Sequence, residues 1–93
     1  MQVSARHVRI VGKVQGVFYR GWTVQTARAL GLAGWVRNRL DGDVEAIVQG
    51  KEADIARFLE LAWTGPPAAR VDDVSDKVIE VSDLRGFEQR PTL

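Results

Sequence analysis

The sequence contains no cysteine, which excludes disulfides, thiolate metal sites and cysteine nucleophiles. It contains one histidine, His7, so there is little material for imidazole acid–base chemistry. An excess of either charge is missing too. Thirteen Lys and Arg against twelve Asp and Glu give a formal charge of +1, without the footprint of a surface for nucleic acid or an anionic membrane. No apolar run approaches the ~20 residues that span a bilayer, and "MQVSARHVR" lacks the apolar segment of a secretion signal. The expectation is a soluble, cytoplasmic monomer without nucleic-acid or membrane partners. With 93 residues the chain has room for one modest core, so residues 1–93 read as a single domain.

What is present is a regular succession of patterns. In "RHVRIV", Val8 and Ile10 alternate with His7, Arg9 and Val11, the period of a strand with one face on the core. Beyond Arg20, "GWTVQTARALGL" reads as a helix whose stripe is Tyr19, Thr23, Ala27 and Leu30, with Gly31 as its stop. "GWVRN" and "DVEAIVQ" read as strands joined at "RLDG", where Asp41-Gly42 is a hairpin signal. "KEADIARFLELAW" places Ile55, Phe58, Leu59 and Ala62 on one helical face, and "TGPPAA" ends it. "RVDDVSDKVIEV" reads as an extended segment with imperfect alternation, consistent with a bulge, and "GFEQR" as a short last strand.

The order βαββαβ plus a short strand predicts an α+β sandwich, with two helices on one face of an antiparallel sheet. In that split topology the first two strands run parallel with the third between them, so their C-terminal ends share one edge. The turn "GKVQGVFYR", Gly12 to Arg20, leaves the first strand there, and Asn38 ends the second. A glycine-containing turn from strand to helix leaves backbone N–H groups unpaired, which makes a nest for an anion. An arginine at the helix entrance completes a phosphate site.

These residues resemble the acylphosphatase family, whose first motif, Gly-x-Val-Gln-Gly-Val-x-aromatic-Arg, stands here as "GKVQGVFYR". The second motif stands as "GWVRNRLDGDVEAIVQG", Gly34 to Gly50, and "GPPAARVDDV" and "GFEQR" extend the similarity over the chain. The resemblance implies a ferredoxin-like fold and hydrolysis of the carboxyl–phosphate bond of small acyl phosphates, without cofactor or metal. It implies phosphate binding by the backbone of Gln15, Gly16, Val17, Phe18 and Tyr19, with Arg20 gripping the phosphoryl oxygens and Asn38 holding the attacking water. It also implies that the water's proton passes to the substrate's own phosphate. Independently, arginine's planar fork suits two phosphoryl oxygens, and an asparagine amide orients a water without titrating. An acyl phosphate departs as a carboxylate whose conjugate acid has a pKa of about 4, so no general acid is required.

Other residues have plainer readings. His7, between Arg6 and Arg9, reads as a surface histidine without a partner. Asp72, Asp73 and Asp76 read as a solvated segment rather than a metal cluster, and Trp22, Trp35 and Trp63 as packing rather than a stacking surface for bases. Arg37 and Arg39 admit two readings, as solvated hairpin charges or as an attraction for a dianion. Two rival functions remain on the same fold: a phosphate or acyl-phosphate binding module without catalysis, and an RNA-binding sheet face. A pure binder has no use for Asn38, and near-neutral charge speaks against RNA.

Overall fold

The structure, a computed structural model, describes residues 2–93. Seven elements follow in order: β1 (Val3–Lys13), α1 (Tyr19–Ala29), β2 (Ala33–Asn38), β3 (Val44–Lys51), α2 (Glu52–Ala62), β4 (Arg70–Ile79) and β5 (Phe87–Gln89). They form one sheet in the order β4-β1-β3-β2-β5. β1 lies antiparallel to both β3 and β4, and β3 antiparallel to β2, so β1 and β2 run the same way on either side of β3. The sequence predicts an antiparallel sheet; the sheet is mixed, because β5 adds in parallel to β2 from Gly34↔Phe87 to Val36↔Gln89. The chain reaches that edge after leaving the opposite one, and the Gln49 side chain fastens the crossing. Its amide donates to the Ser82 carbonyl at 2.8 Å and its oxygen accepts from the Ser82 N–H at 3.0 Å, a side-chain substitute for strand pairing.

One face of the sheet carries both helices. Val8 and Ile10 of β1, Val36 of β2 and Val44, Ala46 and Val48 of β3 are each 0% exposed beneath them. α2 adds Ile55, Phe58 and Ala62, and α1 adds Tyr19 and Ala27. α1 ends as expected at Gly31, where φ is +71°. Gly31 N–H donates to Arg28 O at 3.1 Å and Leu32 N–H to Ala27 O at 2.9 Å, which satisfies two carbonyls of the last turn. The Asp41-Gly42 turn closes through Arg39 N–H to Asp43 O at 2.8 Å, with Gly42 at φ +101°. The anticipated bulge is in β4. Val11 pairs with Asp73 and Gly12 with Val71, so Asp72 has no partner residue in β1. Gly12 is required there, because a Cβ on it would lie 2.2 Å from the Arg70 carbonyl oxygen.

Candidate active site

β1 stops at Lys13 and α1 starts at Tyr19, two residues earlier than the sequence suggests. In the connection, Gly16 (φ +73°) and Phe18 (φ +70°) are both left-handed. Phe18 is the residue preceding the first helical turn and offers no side-chain cap. The left-handed conformation costs a non-glycine residue about 1–2 kcal/mol, a strain of the kind that collects at functional sites. Its result is a loop in which the N–H groups of Gln15 through Gly21 donate to no backbone carbonyl; the first bond is Trp22 N–H to Phe18 O at 2.9 Å. The two helices differ at this end. The first turn of α2 carries Glu52 and Asp54, whereas that of α1 carries no acid and one arginine. A cation in the first turn opposes the helix dipole by ~0.3–1 kcal/mol, so α1 forgoes stability and keeps a positive end.

Arg20 stands in that turn. Arg6, Arg9, Arg37, Arg39, Arg70, Arg85 and Arg90 are each paired with a carboxylate and Arg28 with the Phe87 carbonyl; among the described residues Arg20 and Arg57 have no partner, and Arg57 is exposed on α2, away from this turn. Asn38, the last residue of β2, is 8% exposed, and its Oδ1 is enclosed without a hydrogen-bond donor. A buried acceptor left unpaired costs about 1–3 kcal/mol and is tolerated where a ligand or water satisfies it. Both side chains line one cavity of about 230 Å³, together with Val14, Gly16, Phe18, Tyr19, Gly21 and Gln89.

Of the expected phosphate-binding residues, Gly16, Phe18, Tyr19 and Arg20 line the cavity. The Val17 side chain packs against the core instead. Gln15 turns its side chain away: Nε2 donates to Arg39 O at 2.8 Å and to Asp43 O at 2.9 Å, stapling the cradle loop to the β2–β3 turn beside Asn38. Tyr19 is 1% exposed and donates its hydroxyl to Ala62 O at 2.6 Å, which ties the start of α1 to the end of α2; burial pushes its pKa up. Gln89 is a cavity residue that the strand pattern of "GFEQR" did not single out; only the parallel pairing of β5 brings it beside β2.

The open face of the sheet is where the sequence reading needs correcting. His7 does have a partner: its Nε2 lies 2.6 Å from Oε2 of Glu45, which is 7% exposed. The partner is 38 residues away in sequence and meets His7 only because alternate pairs of the β1–β3 ladder, His7↔Ile47 and Arg9↔Glu45, share a face. Burial opposes ionisation of Glu45, but hydrogen bonds from His7 and Arg37 and their charges outweigh it, so its pKa is lowered. Arg37 Nε donates to Glu45 Oε1 at 2.7 Å and Arg39 approaches it at 3.4 Å, so both arginines are committed to this network. Trp35 lies under Arg37 and Arg90, at 4.6 and 5.0 Å from its ring centre, while Trp63 ends α2 and is half exposed. Asp72 pairs with Arg70 and Asp76 with Arg6. A more open depression of about 350 Å³ lies against His7, Arg9, Ser75, Asp76 and Lys77, but Arg9 there is already held by Asp41 and Asp43.

A split βαββαβ sandwich with a nest of backbone donors, a free guanidinium and an enclosed amide oxygen defines a small phosphate-handling α+β protein. A family model described as Acylphosphatase matches residues 6–89, and the chain belongs to that family. An acylphosphatase of Rhodospirillum rubrum is 58% identical over 86 residues, covering 92% of this chain and 94% of the relative. Among solved structures, an acylphosphatase from Coxiella burnetii matches with a TM-score of 0.92 at 41% identity, covering 95% of this chain and 93% of that one. One from Bacillus subtilis matches with a TM-score of 0.92 at 31% identity, over 96% and 99% of the two chains. The fold and membership in the family agree with what the two motifs imply.

Proposed function

We propose that the protein hydrolyses acyl phosphates to a carboxylate and inorganic phosphate, with Arg20 and Asn38 as its catalytic residues. The observation that supports it best is the meeting on one cavity of Arg20, whose guanidinium has no partner, of Asn38, and of a loop whose N–H groups are unpaired. The phosphoryl group sits in the nest formed by the backbone of Gln15 to Tyr19, with two of its oxygens on the Arg20 fork. Asn38 Oδ1 accepts a hydrogen bond from a water and aims its oxygen at phosphorus. As the new P–O bond forms, the bond from phosphorus to the bridging oxygen breaks and its electron pair leaves on the carboxylate. Both water hydrogens end on the phosphate product. The transition state is loose, with charge on the equatorial oxygens, so fixed donors at those oxygens supply most of the catalysis. No acid is needed for a leaving group that is stable as an anion.

Release of phosphate from a simple acyl phosphate, followed with excess chelator present, tests the reading. Chelation is expected to leave the rate unchanged, since among the described residues no group of three His, Asp or Glu is placed to hold a metal ion. Arg20→Lys keeps the charge but loses the fork, and both phosphate affinity and turnover should fall steeply. Inorganic phosphate should protect the wild type against heat by mass action and protect Arg20→Lys less. A rate no faster than spontaneous hydrolysis would refute the assignment.

A further inference from the structure

We propose that Phe18, together with Gln89, forms a subsite for the acyl group and selects acyl phosphates whose acyl group is aromatic or bulky and apolar. The proposal rests on the reading of the cavity as an acyl-phosphate site, whose motif residues hold only the phosphoryl end. Phe18 is 62% exposed, although the adjacent Tyr19 is 1% exposed and fills the core. The ring therefore contributes little to folding. It also occupies a left-handed position, φ +70°, that glycine adopts freely and phenylalanine resists. A large apolar side chain kept in water at a strained position calls for a function outside the core.

The ring is also held in place. A Cβ on Gly21 would lie 2.3 Å from Phe18 Cε1 and 2.6 Å from Cζ, so the absence of a side chain at Gly21 lets the ring lie on the first turn of α1. There it lines the same cavity as Arg20 and Asn38. The cavity holds about 230 Å³, against roughly 10–15 Å³ for one water on the same measure, so it admits more than an attacking water. A phosphoryl group seated on Arg20 projects its acyl substituent along these walls, where the exposed ring offers an apolar platform. Gln89, from β5, brings an amide that can donate to the acyl carbonyl oxygen. Aromatic pairs in offset or edge-to-face contact gain more than their buried area alone provides.

Benzoylphosphonate and acetylphosphonate, in which a P–C bond replaces the scissile P–O bond, test the subsite by calorimetric binding without turnover. Inorganic phosphate serves as the probe of the cradle alone. The wild type is expected to bind benzoylphosphonate about tenfold more tightly than acetylphosphonate. Phe18→Ala should abolish that preference, the two phosphonates then binding with about equal affinity, while any change in phosphate affinity reads the effect on the loop backbone separately. Phe18→Gly relieves the left-handed strain, so it supplies a variant that folds at least as well and should behave like Phe18→Ala. Equal wild-type affinities for the two phosphonates would overturn the proposal, as would a preference that survives in Phe18→Gly. A loss of phosphate affinity in both variants as large as the loss for benzoylphosphonate would do the same, since it would make the ring part of the cradle. Selective binding by a protein that hydrolyses no acyl phosphate would refute the hydrolase reading and support the subsite; hydrolysis with no selectivity would do the reverse.

Discussion

Asn38 ends a strand, yet its amide oxygen is enclosed and unpartnered, and this makes it the side chain with the most specific consequence. If it holds water and not phosphate, Asn38→Ala should leave phosphate affinity nearly intact while kcat falls on the order of a hundredfold or more, about 3 kcal/mol of barrier. The fold should tolerate the change, because the lost group makes no protein hydrogen bond. A melting curve at the assay temperature checks this. Loss of phosphate affinity in step with kcat would assign Asn38 to the anion site. The meeting of Arg20 and Asn38 at one cavity was legible in the sequence, because each belongs to a long motif and the strand order puts both at one edge of the sheet. The pairing of His7 with Glu45 was not, because it depends on the register of two strands, to which local alternation is blind.

The cradle loop keeps its shape through two side chains that reach other elements, Gln15 to the β2–β3 turn and Tyr19 to the end of α2. Gln15→Leu keeps the bulk and removes both bonds, leaving the carbonyls of Arg39 and Asp43 only their backbone donors, the Gly42 and Arg39 N–H groups. Each bond contributes about 0.5–1.5 kcal/mol net, so a loss of ~1–3 kcal/mol in chemical unfolding is expected. Because the staple joins the loop to the turn that follows Asn38, kcat should fall more than that stability loss explains, measured well below the melting temperature. Asp41-Gly42, the α2 stripe and the Gly31 stop were readable because their signals are local. The side-chain staples and the parallel addition of β5 were not, since they join segments whose proximity only the finished sheet defines. Gly34 shows the same limit: its φ of +144° and a notional Cβ 1.8 Å from the Ile47 carbonyl oxygen arise from strand pairing. Gly34→Ala should therefore be among the most destabilising single substitutions, at about 3 kcal/mol or more by denaturant titration.

The molecule divides its ionisable groups between the two faces of the sheet, and this division shapes how stability depends on pH. On the open face, Glu45 has its pKa held below the ordinary 4.5 by His7 and Arg37 despite the opposing effect of burial. A lowered native pKa means that the unfolded chain binds the proton first, so the contribution of Glu45 is fully present above 4.5 and is lost as pH falls through the native value. On the helix face, burial raises the Tyr19 pKa above its ordinary 10.0. There the unfolded chain gives up its proton first, so this contribution is complete below 10.0 and is lost as pH rises toward the native value. Glu45→Gln should be less stable than wild type at neutral pH by about 1–2 kcal/mol, since hydrogen bonds to a charged group are replaced by neutral ones. The deficit should shrink steadily as the medium is acidified past the ordinary carboxylate range. Tyr19→Phe loses the bond to Ala62 at every pH below that limit, a cost of about 1 kcal/mol, and its deficit should shrink only in strong alkali. Denaturant midpoints for the three proteins from acid to alkali provide the check. A Glu45→Gln deficit that stays constant into acid would show that the carboxylate's charge is not what holds His7 and Arg37 on the open face.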